Sequence, residues 1–181
     1  MIKVNDLPIL VYDDFYSEQE YKLMWQELLF LKSKMQIQDQ DNPLLKKNSG
    51  LLLDEIYPNR NISDILRCTR KIFNASFIEK CKQQHYFFEY LGSSTRDKVK
   101  VNHYDNGDEY KKHNDLGTIT CVTFFCDKVK MFEGGNLIFD NNIIECVANR
   151  IVLFPSILMH EVDKIKGTGR FSITHFITWV I

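Results

Sequence analysis

The chain has 181 residues, a length that fits one domain with a hydrophobic core of its own. Its 23 Lys and Arg residues nearly balance its 24 Asp and Glu residues, so no overall field draws it to nucleic acid or to an anionic membrane. With 44% hydrophobic and 26% charged residues, the composition is that of a soluble globular protein, whose partners must be recognised by a local site.

The N-terminal residues lack the apolar core of a signal peptide, and no apolar run is long enough for a membrane span. The five cysteines are odd in number and contain no C-x-x-C pair, which is typical of reduced, buried thiols. We therefore expect a cytoplasmic protein with no membrane partner.

The first half of the chain is predicted to be mainly helical. After a short apolar strand over residues 8–12, Ser17 and Glu20 have the S-x-x-E form of a capping box, and apolar residues follow at helical spacing for about four turns. Ser63 is the predicted cap of a second helical region, which continues to about Tyr90 and ends at Gly92.

Between these helices, residues 38–50 have turn chemistry, and residues 51–57 form a short apolar run that predicts a strand. A segment of this kind, over residues 38–60, is either a lid over a substrate or an ordinary surface connection. The sequence leaves both interpretations open.

The second half consists of short β-branched and aromatic runs separated by Gly, Asn and Asp, which predict strands. The predicted strands are 98–104, 109–116, 118–126, 136–140, 143–147, 150–154, 160–165 and 170–180. Strands that follow helices predict an α+β fold with a mainly β core. We expect a double-stranded β-helix, a jelly-roll or cupin-like barrel, with the N-terminal helices packed on its outer face. The whole chain, 1–181, is predicted to be one domain, with a helical support region over 1–97 and the jelly-roll core over 98–181.

Two histidines and an aspartate are candidate metal ligands. In a strand, His113 and Asp115 would point to the same face, with Asn114 on the other. His160, which begins a later strand, supplies a third ligand. Two histidines and one carboxylate on one side of a divalent metal are typical of non-haem Fe(II) oxygenases. A reducing compartment suits such a site.

Strand alternation also sorts the neighbouring side chains. Arg170 and Ser172 share one face of the last strand, and an arginine there can bind a carboxylate through two parallel hydrogen bonds. His175 lies on the opposite face, so we assign it a structural role, together with His85 and His103. In the 98–104 strand, Tyr104 points into the barrel if the opposite, valine-bearing face packs on the helices. Residues 134–135, both glycine, predict a turn with positive φ.

Six segments of the second half occur in an order shared by one enzyme family. They are Tyr104-x-x-Gly107-x-x-Tyr110-x-x-His113-x-Asp115, Thr120-Cys121-Val122-Thr123-Phe124-Phe125, Gly134-Gly135-Asn136-Leu137-Ile138-Phe139, Phe154-Pro155, His160-Glu161-Val162 and Gly169-Arg170-Phe171-Ser172-Ile173-Thr174. From about residue 98 to residue 181 the chain resembles the catalytic core of the 2-oxoglutarate- and Fe(II)-dependent dioxygenases, in particular the prolyl 4-hydroxylase-like branch.

The resemblance implies a role for each matching residue. Fe(II) would be bound by the catalytic residues His113, Asp115 and His160. Arg170 would hold the distal carboxylate of 2-oxoglutarate, Tyr104 would lie beside this cosubstrate, and Ser172 would add a hydroxyl contact. Several relatives have a tyrosine on the strand after H-x-D that assists this carboxylate, whereas this chain has Phe124. That hydrogen bond is therefore absent, or it comes from Tyr104, Thr120 or Ser172.

The implied cofactors are Fe(II), 2-oxoglutarate and O₂, with ascorbate in a supporting role, and the implied products are succinate, CO₂ and a hydroxylated substrate. Asp115 favours hydroxylation over halogenation, because the related halogenases lack the acidic ligand. The substrate predicted by the closest branch is a prolyl or other residue of a protein or peptide. The alternatives are hydroxylation of a free amino acid or small metabolite and a non-enzymatic metal-binding jelly roll. No nucleic-acid partner is expected, because nucleic-acid demethylases of this superfamily carry a second arginine where this chain has Phe176.

Overall fold

The computed structural model describes residues 2, 3, 7–37, 46–127 and 129–179. Within these ranges the strands, numbered β1–β15 in chain order, form three antiparallel sheets. In spatial order, the eight strands of the large sheet are Ile2–Lys3 (β1), Leu10–Tyr12 (β2), Ile151–Pro155 (β12), Ile119–Phe125 (β8), Arg170–Thr178 (β15), Arg96–Tyr104 (β6), Ser49–Leu52 (β5) and Gln36–Ile37 (β3). The five strands of the small sheet are Asn142–Ile144 (β11), Leu137–Phe139 (β10), His160–Val162 (β13), Glu109–His113 (β7) and Lys46–Lys47 (β4). Lys166–Gly167 (β14) pairs with Phe132–Glu133 (β9) in a third, two-stranded sheet.

The two larger sheets face each other across a shared apolar core. Phe124 and Phe154 of the large sheet pack in the same buried cluster as Leu137, Phe139 and Val162 of the small sheet. This is the predicted double-stranded β-helix, with a mainly β core inside an α+β fold.

The helices cover the outer face of the large sheet, as predicted. They are Glu18–Leu31 (α1), Leu53–Ile56 (α2), Asp64–Cys68 (α3) and Ala75–Gln84 (α4), joined by 3₁₀ turns at Lys32–Lys34, Arg60–Ile62, Thr69–Phe73 and Tyr86–Leu91. Met24 and Leu28 of α1 pack against Val99 and Val101 of β6. Because strand side chains alternate, Tyr104 lies on the opposite face of β6 and points into the barrel. Among the described residues, no helix is both long enough and apolar enough to cross a membrane.

The start of α1 has the predicted capping box. The Glu20 amide donates to Ser17 Oγ at 3.3 Å, and the Ser17 amide donates to Glu20 Oε2 at 2.7 Å. These two bonds satisfy amides that the first turn of a helix leaves without partners. The second helical region ends at Gly92 as predicted, but it is broken into α3, α4 and two 3₁₀ turns.

Several predicted boundaries are wrong. Part of the predicted 38–50 loop, residues 46–47 and 49–50, lies in β4 and β5, and a short helix, α2, occupies most of the predicted strand 51–57. Residues 38–45 of the candidate lid lie outside the described residues. Turn-forming residues adopt strand geometry here because β6 and β7 offer backbone partners that the local sequence does not reveal. The β9–β14 pair was not predicted, because two-residue strands have no recognisable periodicity.

A partly buried ionic network joins the helical layer to the large sheet. The Asp97 carboxylate lies 2.6 Å from Arg60 Nη1, 3.1 Å from Arg70 Nη1 and 2.6 Å from His175 Nε2. Burial raises the pKa of Asp97, but hydrogen bonds from His175 and Arg60 outweigh it and hold this pKa well below its usual range. Burial lowers the pKa of His175 from 6.5, and the Asp97 carboxylate only partly opposes this shift.

These shifts predict a loss of stability in acid. The folded protein binds protons at His175 and Asp97 less readily than the unfolded chain does, so the free energy of unfolding falls as the pH drops below about 6.5. Urea unfolding on either side of this pH should show the fall, and His175→Gln should make it smaller, whereas the control His85→Gln should not. An equal fall in wild type and His175→Gln would assign the pH dependence to other groups.

Candidate active site

His113 and His160 lie side by side on neighbouring strands of the small sheet. They are directly opposite each other in the register of β7 and β13. His113 Nδ1 is 2.7 Å from the Lys111 carbonyl oxygen, and His160 Nδ1 is 2.9 Å from the Leu158 carbonyl oxygen. Because a carbonyl can only accept, each Nδ1 carries the proton and each Nε2 carries the lone pair. This is the tautomer that a metal-binding histidine requires.

Asp115 completes the cluster. Its Oδ1 lies 3.7 Å from His113 Nε2, and its Oδ2 lies 3.5 Å from His160 Nε2. One ligand atom from each residue falls within 4.8 Å of the others, a group that could hold a metal ion. Two imidazoles and one carboxylate suit Fe(II).

His113 and Asp115 point into the same cavity, as predicted, but the predicted strand 109–116 is too long. β7 ends at His113, and Asp115 lies in the following turn, where its amide donates to the Ser156 carbonyl oxygen at 2.9 Å. Thr120 Oγ1 donates to Asp115 Oδ2 at 2.8 Å. Tertiary hydrogen bonds, and not strand alternation, therefore aim this carboxylate at the histidines.

The cluster faces a cavity of about 170 Å³ between the two sheets. Its opposite wall is formed by alternate residues of β6 and β15. These residues are Lys100, Asn102, Tyr104, Arg170, Ser172, Thr174 and Phe176. The sequence prediction placed Tyr104, Arg170 and Ser172 on this side of the barrel, and the structure brings all three into the cavity that His113, Asp115 and His160 line.

Arg170 is a wholly buried cation at one end of the cavity. Its Nε donates to the Gly135 carbonyl oxygen at 2.8 Å, and its guanidinium carbon lies 4.3 Å from the centre of the Tyr104 ring and 5.5 Å from that of Phe124. Within residues 7–37, 46–127 and 129–179, neither terminal nitrogen makes a hydrogen bond. A buried cation with two unused donors is costly, so the cavity is suited to a carboxylate.

Tyr104 remains a hydrogen-bond donor beside this cation. Burial raises the pKa of Tyr104, and the positive charge of Arg170 only partly opposes the shift. The phenol therefore stays protonated at neutral pH. Of the three groups that could replace the tyrosine absent at Phe124, Thr120 is engaged with Asp115, whereas Tyr104 and Ser172 line the cavity with Arg170.

The remaining histidines lie outside the cavity, as predicted. His175 bonds Asp97 on the helical side of the sheet, and the ring of His103 packs 4.5 Å from that of Phe171. His85 accepts a hydrogen bond from the Phe87 amide at the start of a 3₁₀ turn.

Sequence reasoning missed the positioning contacts of Asp115 and Arg170. The sequence indicates no role for Ser156, and it suggests Thr120 only as a hydrogen-bond donor to the cosubstrate and Gly135 only as a turn residue. No local pattern could have found these contacts, because each joins residues that are distant in the chain or that come together at a turn. The turn prediction itself was right: φ is +71° at Gly134 and +70° at Gly135.

The fold and the site together define a jelly-roll protein in which a cluster of two histidines and one carboxylate shares a cavity with a buried arginine. Residues 99–178 match the family model described as the 2OG-Fe(II) oxygenase superfamily. Over residues 99–178 the chain is therefore similar to the Fe(II)- and 2-oxoglutarate-dependent oxygenases, which are enzymes of the dioxygenase type. A search of curated protein sequences found no match.

Solved structures of prolyl hydroxylases share the fold. A Pseudomonas putida prolyl-4-hydroxylase is 16% identical with a TM-score of 0.72, over 97% of this chain and 95% of that one. A Trichoplax adhaerens prolyl hydroxylase, in complex with a hypoxia inducible factor peptide, is 18% identical with a TM-score of 0.67, over 97% of this chain and 85% of that one. The viral collagen prolyl hydroxylase of Paramecium Bursaria Chlorella virus-1 is 15% identical with a TM-score of 0.62, over 97% and 98%. At these identities the likeness shows the fold alone.

Proposed function

We propose that this protein hydroxylates an unactivated C–H bond of a prolyl or other residue in a protein or peptide. In this proposal, His113, Asp115 and His160 bind Fe(II), and Arg170 binds the distal carboxylate of 2-oxoglutarate with help from Tyr104 and Ser172. The observation that carries the proposal is that the buried Arg170, whose terminal nitrogens have no hydrogen-bond partner among the described residues, lines the same cavity as the three candidate ligands.

The chain's own residues bind and orient, while Fe(II) and 2-oxoglutarate supply the oxygen chemistry that gives succinate and CO₂. The two histidines present neutral Nε2 atoms on the small sheet, and Asp115 supplies a negative charge that partly neutralises the metal. The buried Arg170 neutralises the far end of the cosubstrate in a site that excludes bulk water. We also propose a single domain, because the helices share apolar cores with the large sheet.

A macromolecular substrate is supported by the surface beside the candidate ligands. Leu116, Ile157 and Met159 are 91%, 76% and 43% exposed, and they follow or precede Asp115, Ser156 and His160 in the sequence. Exposed apolar side chains next to a catalytic cavity are suited to the apolar parts of a peptide. Similar proteins act on such chains: the Trichoplax adhaerens enzyme was solved with a peptide fragment.

The cavity wall that contains Lys100 favours a second candidate function, hydroxylation of a free amino acid or small metabolite. Lys100 and Asn102 line the same cavity as Arg170, and a cation with a neighbouring amide could bind the carboxylate of a free amino acid or small metabolite. This substrate would enter the cavity as a whole molecule.

The two candidates are separated by one assay. Purified protein with Fe(II), ascorbate and 2-oxoglutarate is incubated with a panel of proline-containing peptides and, separately, with free amino acids. We expect peptides to stimulate succinate release and to gain one oxygen atom, detected by mass spectrometry. Stimulation by free amino acids alone would favour the second candidate, a hydroxylase of small metabolites. If 2-oxoglutarate is not consumed under any condition, the proposed enzymatic activity is refuted.

Ile157→Ser should raise the KM for a peptide substrate several-fold, because it replaces an exposed apolar contact with a hydroxyl. Steady-state kinetics with the best peptide of the panel measure the change. Ile143→Ser is the matched control, since Ile143 is 64% exposed on β11 and away from the candidate ligands in the sequence. Equal KM values for the two variants would show that this exposed apolar surface does not bind the substrate.

Gly135→Ala should displace Arg170. Gly135 has a φ of +70°, and a Cβ there would lie 2.6 Å from Arg170 Cδ and 2.7 Å from its Nε. A misplaced anchor should raise the 2-oxoglutarate requirement roughly 10- to 100-fold. The control is Gly107→Ala, which has a φ of +89° but whose nearest neighbour is Lys164 Cε at 4.0 Å. It shares the backbone strain of about 1–2 kcal/mol without the clash, so an equal change in both variants would show that strain alone is responsible.

A further inference from the structure

Two buried hydroxyl groups, those of Thr120 and Ser156, connect Asp115 to the large sheet. Thr120 Oγ1 is 2.8 Å from Asp115 Oδ2 and 2.9 Å from Ser156 Oγ. Thr120 and Ser156 are wholly buried. The Asp115 amide also donates to the Ser156 carbonyl oxygen at 2.9 Å, so both the side chain and the backbone of Asp115 are attached to this pair.

The chemistry of the groups fixes the direction of the hydrogen bonds. An ionised carboxylate can only accept, so Thr120 must donate its single proton to Asp115. With that proton used, the bond between Thr120 and Ser156 can form only if Ser156 donates. Ser156 therefore donates to Thr120, which donates to Asp115, and such a chain strengthens the bond to the charged group in a buried setting.

The fold explains why Asp115 needs this support. His113 and His160 belong to paired strands of the small sheet, which fix their positions. Asp115 lies beyond the end of β7, where the strand pairing that fixes His113 does not extend. Thr120 lies on β8 of the large sheet opposite Phe154 of β12, and Ser156 follows that strand immediately. The hydroxyl pair thus attaches the Asp115 turn to the large sheet.

We propose that Thr120 is a positioning residue that fixes the orientation of the Asp115 carboxylate toward the metal. The Thr120 hydroxyl donates to Oδ2 at 2.8 Å, while Oδ1 and Oδ2 lie 3.7 Å and 3.5 Å from the Nε2 atoms of His113 and His160. The hydrogen bond thereby holds the carboxylate in the one orientation in which it meets both histidines. This inference rests on the proposed assignment of His113, Asp115 and His160 as the metal ligands.

Thr120→Val tests the inference, because valine keeps the size of threonine and removes the hydroxyl. Co(II) is titrated into the purified protein, and its visible absorption spectrum reports both affinity and coordination. Loss of a second-shell partner should raise the Kd for Co(II) about 10- to 100-fold. The spectrum of the bound ion should also change, because a released carboxylate can change its orientation toward the metal. Thr120→Ser retains the hydroxyl and should restore the Kd to within a few-fold of wild type.

Matched controls separate this role from a structural one. Thr123→Val changes a buried threonine on the opposite face of the same strand, and it should leave the Co(II) Kd and spectrum unchanged. Ser156→Ala, which removes the donor to Thr120, should weaken Co(II) binding by less than Thr120→Val does. If Thr120→Val does not fold, Ser156→Ala decides, and an unchanged Kd in that variant overturns the inference.

The experiment also distinguishes failure of this inference from failure of the proposed site. Wild-type binding that His113→Ala abolishes, together with an unaltered Kd and spectrum in Thr120→Val, would retain the metal site and refute the role of Thr120. If wild type does not bind Co(II), or if His113→Ala binds it equally well, the proposed ligands are wrong and the inference falls with them.

Discussion

His113→Ala and Asp115→Ala are expected to abolish 2-oxoglutarate-dependent succinate formation. His113 contributes one of two neutral Nε2 donors, and Asp115 contributes the negative charge of the cluster. Loss of either leaves two protein ligands, too few to hold the metal with its open positions correctly oriented. Succinate release should fall to the level of metal-free protein, measured by mass spectrometry at saturating Fe(II) and 2-oxoglutarate.

The intervening residue provides the control for both variants. Asn114 is exposed between the two candidate ligands, and Asn114→Ala alters the same turn without removing a ligand atom. It should retain most of the wild-type succinate formation. If His113→Ala remained as active as Asn114→Ala, the metal would have to be bound elsewhere.

Arg170→Met should raise the 2-oxoglutarate requirement roughly 30-fold or more, because truncating one partner of a buried charge pair costs about 2–5 kcal/mol or more and each 1.4 kcal/mol is about tenfold. The same change should stabilise the protein in the absence of 2-oxoglutarate. Methionine fills much of the volume of arginine, and it removes a wholly buried cation whose terminal nitrogens make no hydrogen bond within the described part of the chain. Stability and binding should therefore change in opposite directions.

Thermal unfolding with and without 2-oxoglutarate, at constant metal concentration, tests both parts of this prediction. Wild type should show a rise in Tm with 2-oxoglutarate, since a ligand that binds only the folded state stabilises it, and Arg170→Met should lose that rise. Arg150→Met is the control, because Arg150 pairs with Asp13 at the surface and should leave the 2-oxoglutarate effect intact. A normal rise in Arg170→Met would place the cosubstrate's carboxylate elsewhere.

The sequence predicted the identities of the candidate ligands and their order along the chain. Strand alternation worked best on β6 and β15, which are both nine residues long. It placed Tyr104 and Arg170 on the cavity side and His175 on the helical side, and the structure agrees. A regular strand fixes side-chain direction locally, so its two faces can be separated without knowledge of the fold.

The end of the strand was not predicted. Asp115 and His113 point into one cavity as expected, but β7 stops at His113, so pairing within the strand does not explain the direction of Asp115. Likewise, the local turn chemistry of residues 46–52 gave no sign of the partners that these residues find in β6 and β7. Short edge strands depend on their neighbours more than on their own residues.

By itself, the sequence determined the candidate ligand set, the arginine anchor and a jelly-roll core behind helices, because residue chemistry and strand alternation are local properties. The tertiary structure alone decided how those groups are held. The Thr120–Ser156 pair fixes Asp115, and the Gly135 carbonyl fixes Arg170. The Thr120–Ser156 and Arg170–Gly135 contacts join residues 36 and 35 positions apart, and a hydrogen bond between such distant groups exists only once the sheets have packed and excluded water from between them.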